Sequence, residues 1–136
     1  MQPDIRHVTD QLSVAPQLQP EDMATAAAMG FRLVINNRPE GEQPGQPTAA
    51  TIQAAAEAAG LGYRHIPIIG RATPDQLQQI EALLAEATGP VLAFCRSGTR
   101  SITAWATIRA LAGDDRVRLA ELARNAGYDL SALLGV

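Results

Sequence analysis

Val91-Leu-Ala-Phe-Cys95-Arg-Ser-Gly-Thr-Arg100-Ser101 is an apolar run that ends in the chain's single cysteine and passes into a small polar loop carrying two arginines. Val91 to Phe94 is too short for a helix and reads as a buried strand, and Ile102 to Leu111 reads as the helix that follows. Cys95 then sits at the carboxyl end of a strand. Turn amides and a helix N-terminus converge at such a place, and the positive end of the helix dipole favours an anion there. That anion is the Cys95 thiolate or a group bound to it.

The thiolate, not the thiol, is the nucleophile, and helix N-termini and neighbouring arginines favour it. Arg100 offers a planar fork of donors suited to an oxyanion, while Ser101, or with less claim Thr99, is placed to donate a hydrogen bond to the sulfur. Gly98 lets the backbone turn. Arg96, Ser97, Gly98 and Thr99 form the wall of the cradle, with Arg96 pointing outward or steering an anionic donor. The competing reading is an inert buried cysteine that behaves as a small hydrophobe. The polar, arginine-bearing surroundings argue against it.

Working outward, Asp4 to Val8 and Gln11 to Ala15 read as a short edge hairpin around Thr9-Asp10. A helix from Pro20 to Met29 stops at Gly30, with Met23 and Met29 as fillers on it. Phe31 to Ile35 follows as a buried strand. Asn36 to Pro47 holds three prolines and two glycines, too many for a regular element, and is a long loop of the kind that is often functional. Thr48 to Ala59 is an alanine-rich helix, and Gly62 to Ile69 a strand whose Pro67 puts its end at an edge or turn. Thr73-Pro-Asp-Gln76 is a capping box that opens a helix to about Ala87. Arg116 to Ala126 is a further helix, and Asp129 to Leu134 a last turn. Strands alternating with helices imply one α/β domain over residues 1–136, with a central, mostly parallel sheet flanked by helices and the functional loops at strand carboxyl ends.

Composition limits what this loop can serve. All eleven basic residues are arginines and the net charge is -3, so there is no broad basic surface for nucleic acid. No apolar run approaches a membrane span, and one cysteine makes no internal disulfide. The N-terminus lacks the pattern of a secretory signal, which makes a soluble cytoplasmic protein the expectation. Two histidines and one cysteine do not make a metal site, and no cofactor is called for.

From Asp4 to Leu134 the chain resembles the phosphatase-like domain of the beta-lactamase hydrolase-like (Blh) proteins. The residues that carry the likeness are Val34-Ile-Asn-Asn-Arg-Pro-Glu-Gly41 with Pro44-Gly-Gln-Pro47, His65-Ile-Pro67, and Phe94-Cys-Arg-Ser-Gly-Thr-Arg-Ser101 running into Trp105. The resemblance implies the three-layer dual-specificity phosphatase fold, and implies a sulfurtransferase role through relatives fused to a persulfide dioxygenase. It also tilts Asn37 and Arg38, at a strand end, toward bordering the pocket; plain loop formation is the other option. Phosphatases of this kind resemble one another in a cysteine and arginine separated by five residues, and here four separate Cys95 from Arg100, a spacing similar to the active loop of rhodanese-type sulfurtransferases. They also place an aspartate shortly after the strand equivalent to His65–Ile68. Ile69, Gly70, Arg71 and Ala72 stand there instead, and Asp75 is explained by the helix start. Arg71 is a candidate for attracting an anionic donor, although a solvated surface arginine is the commoner outcome.

Three functions follow. The leading one is sulfur transfer: Cys95 takes the outer sulfur of thiosulfate or a persulfide and passes it to a thiol such as glutathione, with a persulfide dioxygenase as a possible partner. The second is a phosphatase working through a Cys95 phosphocysteine, and the third is a non-catalytic module that binds an anion or persulfide. His65, in an apolar strand, reads as a structural histidine, His7 as exposed on the hairpin, and Trp105 as core.

Overall fold

β5 (Val91–Phe94) is the centre of the fold, with all four residues buried. The computed structural model describes residues 2–136. The remaining strands are β1 (Arg6–His7), β2 (Leu12–Ala15), β3 (Leu33–Asn36) and β4 (Gly62–His65), and the sheet order is β1-β2-β5-β3-β4. β5 pairs in parallel with both β2 and β3, and β3 in parallel with β4; only the β1–β2 hairpin is antiparallel. The helices are α1 (Asp22–Ala28), α2 (Ala49–Ala58), α3 (Pro74–Glu86), α4 (Thr99–Leu111), α5 (Arg116–Asn125) and α6 (Ser131–Leu134).

The two faces of the sheet explain the three layers. Side chains alternate along a strand, and Val91 and Ala93 of β5 join a core with Ile102, Ala106 and Ile108 of α4 and Ile80 and Leu84 of α3. Leu92 and Phe94 point the other way, to Met23 and Ala26 of α1 and Ile52 and Ala56 of α2. Buried on both faces, β5 has no polar position to offer, which is why its sequence is a continuous apolar run. Phe94 is wholly buried, and cutting such a side chain to alanine costs about 3–5 kcal/mol.

Several boundaries differ from the sequence expectation. β4 stops at His65 rather than Ile69. Beyond it the Ile66 and Ile68 amides still donate to Asn36 O (2.8 Å) and Asn37 O (2.9 Å), while Pro67, with no N–H, falls between them on the open edge. α4 begins at Thr99 rather than Ile102, so Arg100 and Ser101 belong to its first turn. β3 runs from Leu33 to Asn36: it starts two residues later than Phe31–Ile35 implies, because the Phe31 amide is used to close α1 on Ala26 O, and it ends one residue further along. α1 starts at Asp22, whose carboxylate accepts from the Gln19 amide at 2.7 Å. Met23 fills the core as expected, but Met29 lies at the end of α1 and is exposed. The capping box at Thr73 and Gln76 is present with both of its hydrogen bonds. Among the described residues no helix is long and apolar enough to cross a membrane.

Candidate active site

Cys95 follows β5 directly and is fully buried at the floor of the loop. The Gly98 amide donates to its Sγ at 3.1 Å. This contact depends on Gly98, which caps α4 with φ of 91°, a left-handed conformation that a Cβ disfavours. Space demands glycine as well: a Cβ there would run into the Tyr128 hydroxyl and approach Ala15 O at 3.3 Å.

The first amides of a helix lack intrahelical partners. In α4 the Thr99 amide reaches Ser97 Oγ at a long 3.4 Å. The Arg100 and Ser101 amides find no acceptor among the described residues. These donors and Gly98 stand at the positive end of the helix, the arrangement that holds an anion.

Two outside groups fix the loop. Tyr128 donates its hydroxyl hydrogen to Ser97 O at 2.8 Å, and the Gln17 amide donates to Arg96 O at 3.2 Å. The Tyr128 ring is in turn covered by the Arg6 guanidinium, 5.2 Å from its centroid. Burial pushes the Tyr128 phenol above its ordinary value, so it stays a donor at neutral pH. Arg96 and Ser97 face solvent, and Ser97 Oγ donates to Thr99 Oγ1 at 2.9 Å.

Ser101 does not serve the sulfur. Its hydroxyl, buried, gives its hydrogen to Asn37 Oδ1 at 2.7 Å, and a hydroxyl has only one to give. Asn37 spends its amide group on Ile66 O (3.0 Å) and its backbone N–H on Phe94 O (2.7 Å). The pair therefore ties α4 to the ends of β3 and β5. The expectation of a Ser101 hydrogen bond to Cys95 is replaced by this structural link.

Arg38 is also committed elsewhere. Only 2% exposed, it donates from Nε to Glu42 Oε1 (2.8 Å), from Nη1 to Gln17 (3.0 Å) and from Nη2 to Gln43 (3.0 Å). It holds the Asn36–Pro47 loop together rather than presenting itself to solvent. His65 is structural, as expected, its Nε2 donating to Arg38 O at 2.7 Å.

Glu42 went unmarked in the sequence. It receives Arg100 Nη1 on Oε2 (2.8 Å) and Arg100 Nη2 on Oε1 (2.9 Å). Hydrogen bonds from Arg100 first, and then from Arg38, bring its carboxyl down to about 2. Arg100 is raised in return, chiefly by its hydrogen bonds to Glu42. The only advance signal was the spacing Arg38-Pro-Glu-Gly-Glu42, an acid four residues from an arginine inside a loop rather than on a helix.

Arg71 stays on the surface. It shares with Arg100 a cavity of about 140 Å³ that Gly70, Thr103 and Thr107 also line. The stretch around it carries no acid: Ile69 is 84% exposed, and Asp75 is exposed in the first turn of α3.

Residues 4–112 match the model for the phosphatase-like domain of beta-lactamase hydrolase-like proteins. The chain belongs to that family. A beta-lactamase hydrolase-like protein of Agrobacterium fabrum is 37% identical over 127 residues, which cover 92% of this chain but 30% of that protein. The Blh-type domain thus spans about a third of the length of its curated relatives. A crystal structure of a candidate phosphatase from Neisseria meningitidis is 31% identical, with a TM-score of 0.87 over 97% of this chain and 94% of that one. The active form of Tk-PTP, at 21% identity, shares the fold with a TM-score of 0.72 over 93% of this chain and 87% of that one. The Blh-type domain therefore has the cysteine-phosphatase fold, with Cys95 at the strand-to-helix turn.

Proposed function

We propose that the domain is a cysteine-dependent sulfurtransferase. The Cys95 thiolate attacks the outer sulfur of thiosulfate, the S–S bond breaks, and its electron pair leaves with sulfite. A persulfide donor reacts in the same way and releases a thiolate. The resulting Cys95 persulfide is held by the Gly98, Arg100 and Ser101 amides and by Arg100. An acceptor thiolate, glutathione being a suitable one, then takes the terminal sulfur and restores Cys95. A persulfide dioxygenase is the class of enzyme that would consume such a product, and the cytoplasm a setting that supplies the thiol.

One observation carries this reading. Glu42 is the one carboxylate hydrogen-bonded to the site's arginines among the described residues, and at about 2 it is ionised at neutral pH. An ionised carboxylate cannot protonate a departing alkoxide, whereas sulfite and thiolates leave without a proton. The four residues between Cys95 and Arg100, one fewer than the five of cysteine phosphatases, also favour this reading.

The second reading is phosphoester hydrolysis through a phosphocysteine. The comparisons back this reading better than the first: the family is called phosphatase-like and the Neisseria protein a candidate phosphatase. Parallel assays of thiosulfate with cyanide or glutathione, and of aryl and alkyl phosphates, separate the two. Sulfur transfer that disappears in Cys95→Ser is expected, with any phosphate release confined to the aryl ester by a factor of about 10² or more. Alkyl phosphate turnover at a similar rate, without sulfur transfer, would establish the phosphatase instead. Binding of thiosulfate with neither turnover would leave a binding module.

A further inference from the structure

Arg100 has five N–H donors in a fixed plane. Nη1 spends both of its hydrogens, on Glu42 Oε2 (2.8 Å) and Ile68 O (2.8 Å), and Nη2 spends one on Glu42 Oε1 (2.9 Å). What remains is Nε–H and the second Nη2 hydrogen. These two are neighbours on the other edge of the guanidinium, and a pair of parallel donors is the unit that grips an anion bidentately.

Glu42 is itself held. Arg38, buried beneath it, donates Nε to Oε1, and the Glu42 amide donates to Gln46 Oε1 at 3.0 Å. Gln46 returns to Pro39 O at 2.8 Å, and Glu40 accepts from the Ala49 amide at 2.9 Å, which fastens the loop to the start of α2. The chain of contacts runs from the core through Arg38 and Glu42 to Arg100.

We infer that Glu42 is the positioning residue of Arg100: by occupying the end of the guanidinium, it presents the free edge to the anionic group that reacts at Cys95. The inference builds on Cys95 as the nucleophile but needs neither sulfur transfer nor ester hydrolysis. It makes a prediction opposite to that of simple electrostatics. Removal of a negative charge beside the site would by itself favour an anionic reagent, whereas loss of the positioning contact leaves Arg100 free to turn away from one.

The test is the ratio of Cys95 alkylation rates by iodoacetate and by iodoacetamide, one anionic and one neutral, in the full chain. Any change in the thiol itself cancels in the ratio. In Glu42→Gln the ratio should fall roughly fivefold, the scale of one misplaced charge-assisted contact. Glu42→Asp retains the charge and the means to pair with Arg38 but is a methylene short; it should lower the ratio too, and it serves if the glutamine variant fails to fold. A ratio that is unchanged or higher in the folded variant would overturn the inference and leave Glu42 as a charge mask. Because alkylation reads only the geometry at Cys95, this result stands or falls independently of the turnover assays.

Discussion

Two segments flank the Cys95 loop, and they are built in opposite ways. On one side, Asn36–Pro47 looks irregular in sequence, yet Asn36, Asn37 and Arg38 are buried and Arg38 spends all three nitrogens on side chains. On the other, Ile68–Thr73 anchors through Ile68 O to Arg100 and then turns outward, leaving Ile69 84% exposed. The first segment holds Arg100 through Glu42. The second, where a proton donor would be needed, supplies none. This asymmetry fits the proposed sulfur transfer, because sulfite and thiolates leave as stable anions without a proton.

Changes in the Cys95 loop between these two flanks should cost most. Gly98→Ala meets both a positive φ and the Tyr128 hydroxyl; strain of this kind costs about 1–3 kcal/mol before the collision is added. Urea unfolding should show a loss at or above that range, together with lost reactivity of Cys95. Tyr128→Phe leaves Ser97 O without its donor, and a loss of about 1 kcal/mol is expected from the same measurement.

The Glu42 ion pairs come next. Their carboxyl is lowered from 4.5 to about 2, so the folded state binds this proton less readily than the unfolded one. Their contribution is present in full above pH 4.5 and is lost as the pH falls through about 2. The stability difference between the native chain and Glu42→Gln should therefore be constant near neutrality and shrink between those limits. At about 1 kcal/mol or less, it is modest because the carboxylate is partly solvated. Smallest of all, Arg71→Ala should change stability by no more than about 0.5 kcal/mol, as a surface position does. A large loss there would show the bare flank to be more organised than its exposure indicates.

The sequence made the fold legible where physics is local. The apolar run Val91–Phe94, the capping box at Thr73 and the glycine stops placed most elements, because each signal lies within a few residues of what it controls. The place of Cys95 at the end of β5 was legible for the same reason. The Ser101 hydroxyl was misassigned because its partner, Asn37, lies 64 residues away in the chain and meets it only after β3 and β5 pair. Glu42 and Tyr128 escaped notice likewise: a loop glutamate and a tyrosine near the C-terminus have no local pattern that points to residues 100 and 97.

The proposed sulfur transfer requires that Cys95 take up a single sulfur and not a phosphoryl group. Intact-mass measurement of the protein after incubation with thiosulfate or glutathione persulfide, and separately with an aryl phosphate, addresses it directly. Sulfur transfer predicts a gain of one sulfur atom on Cys95 that a thiol reductant removes, and no trapped phosphate. A phosphoryl adduct on Cys95, with no sulfur taken up from either donor, would contradict it.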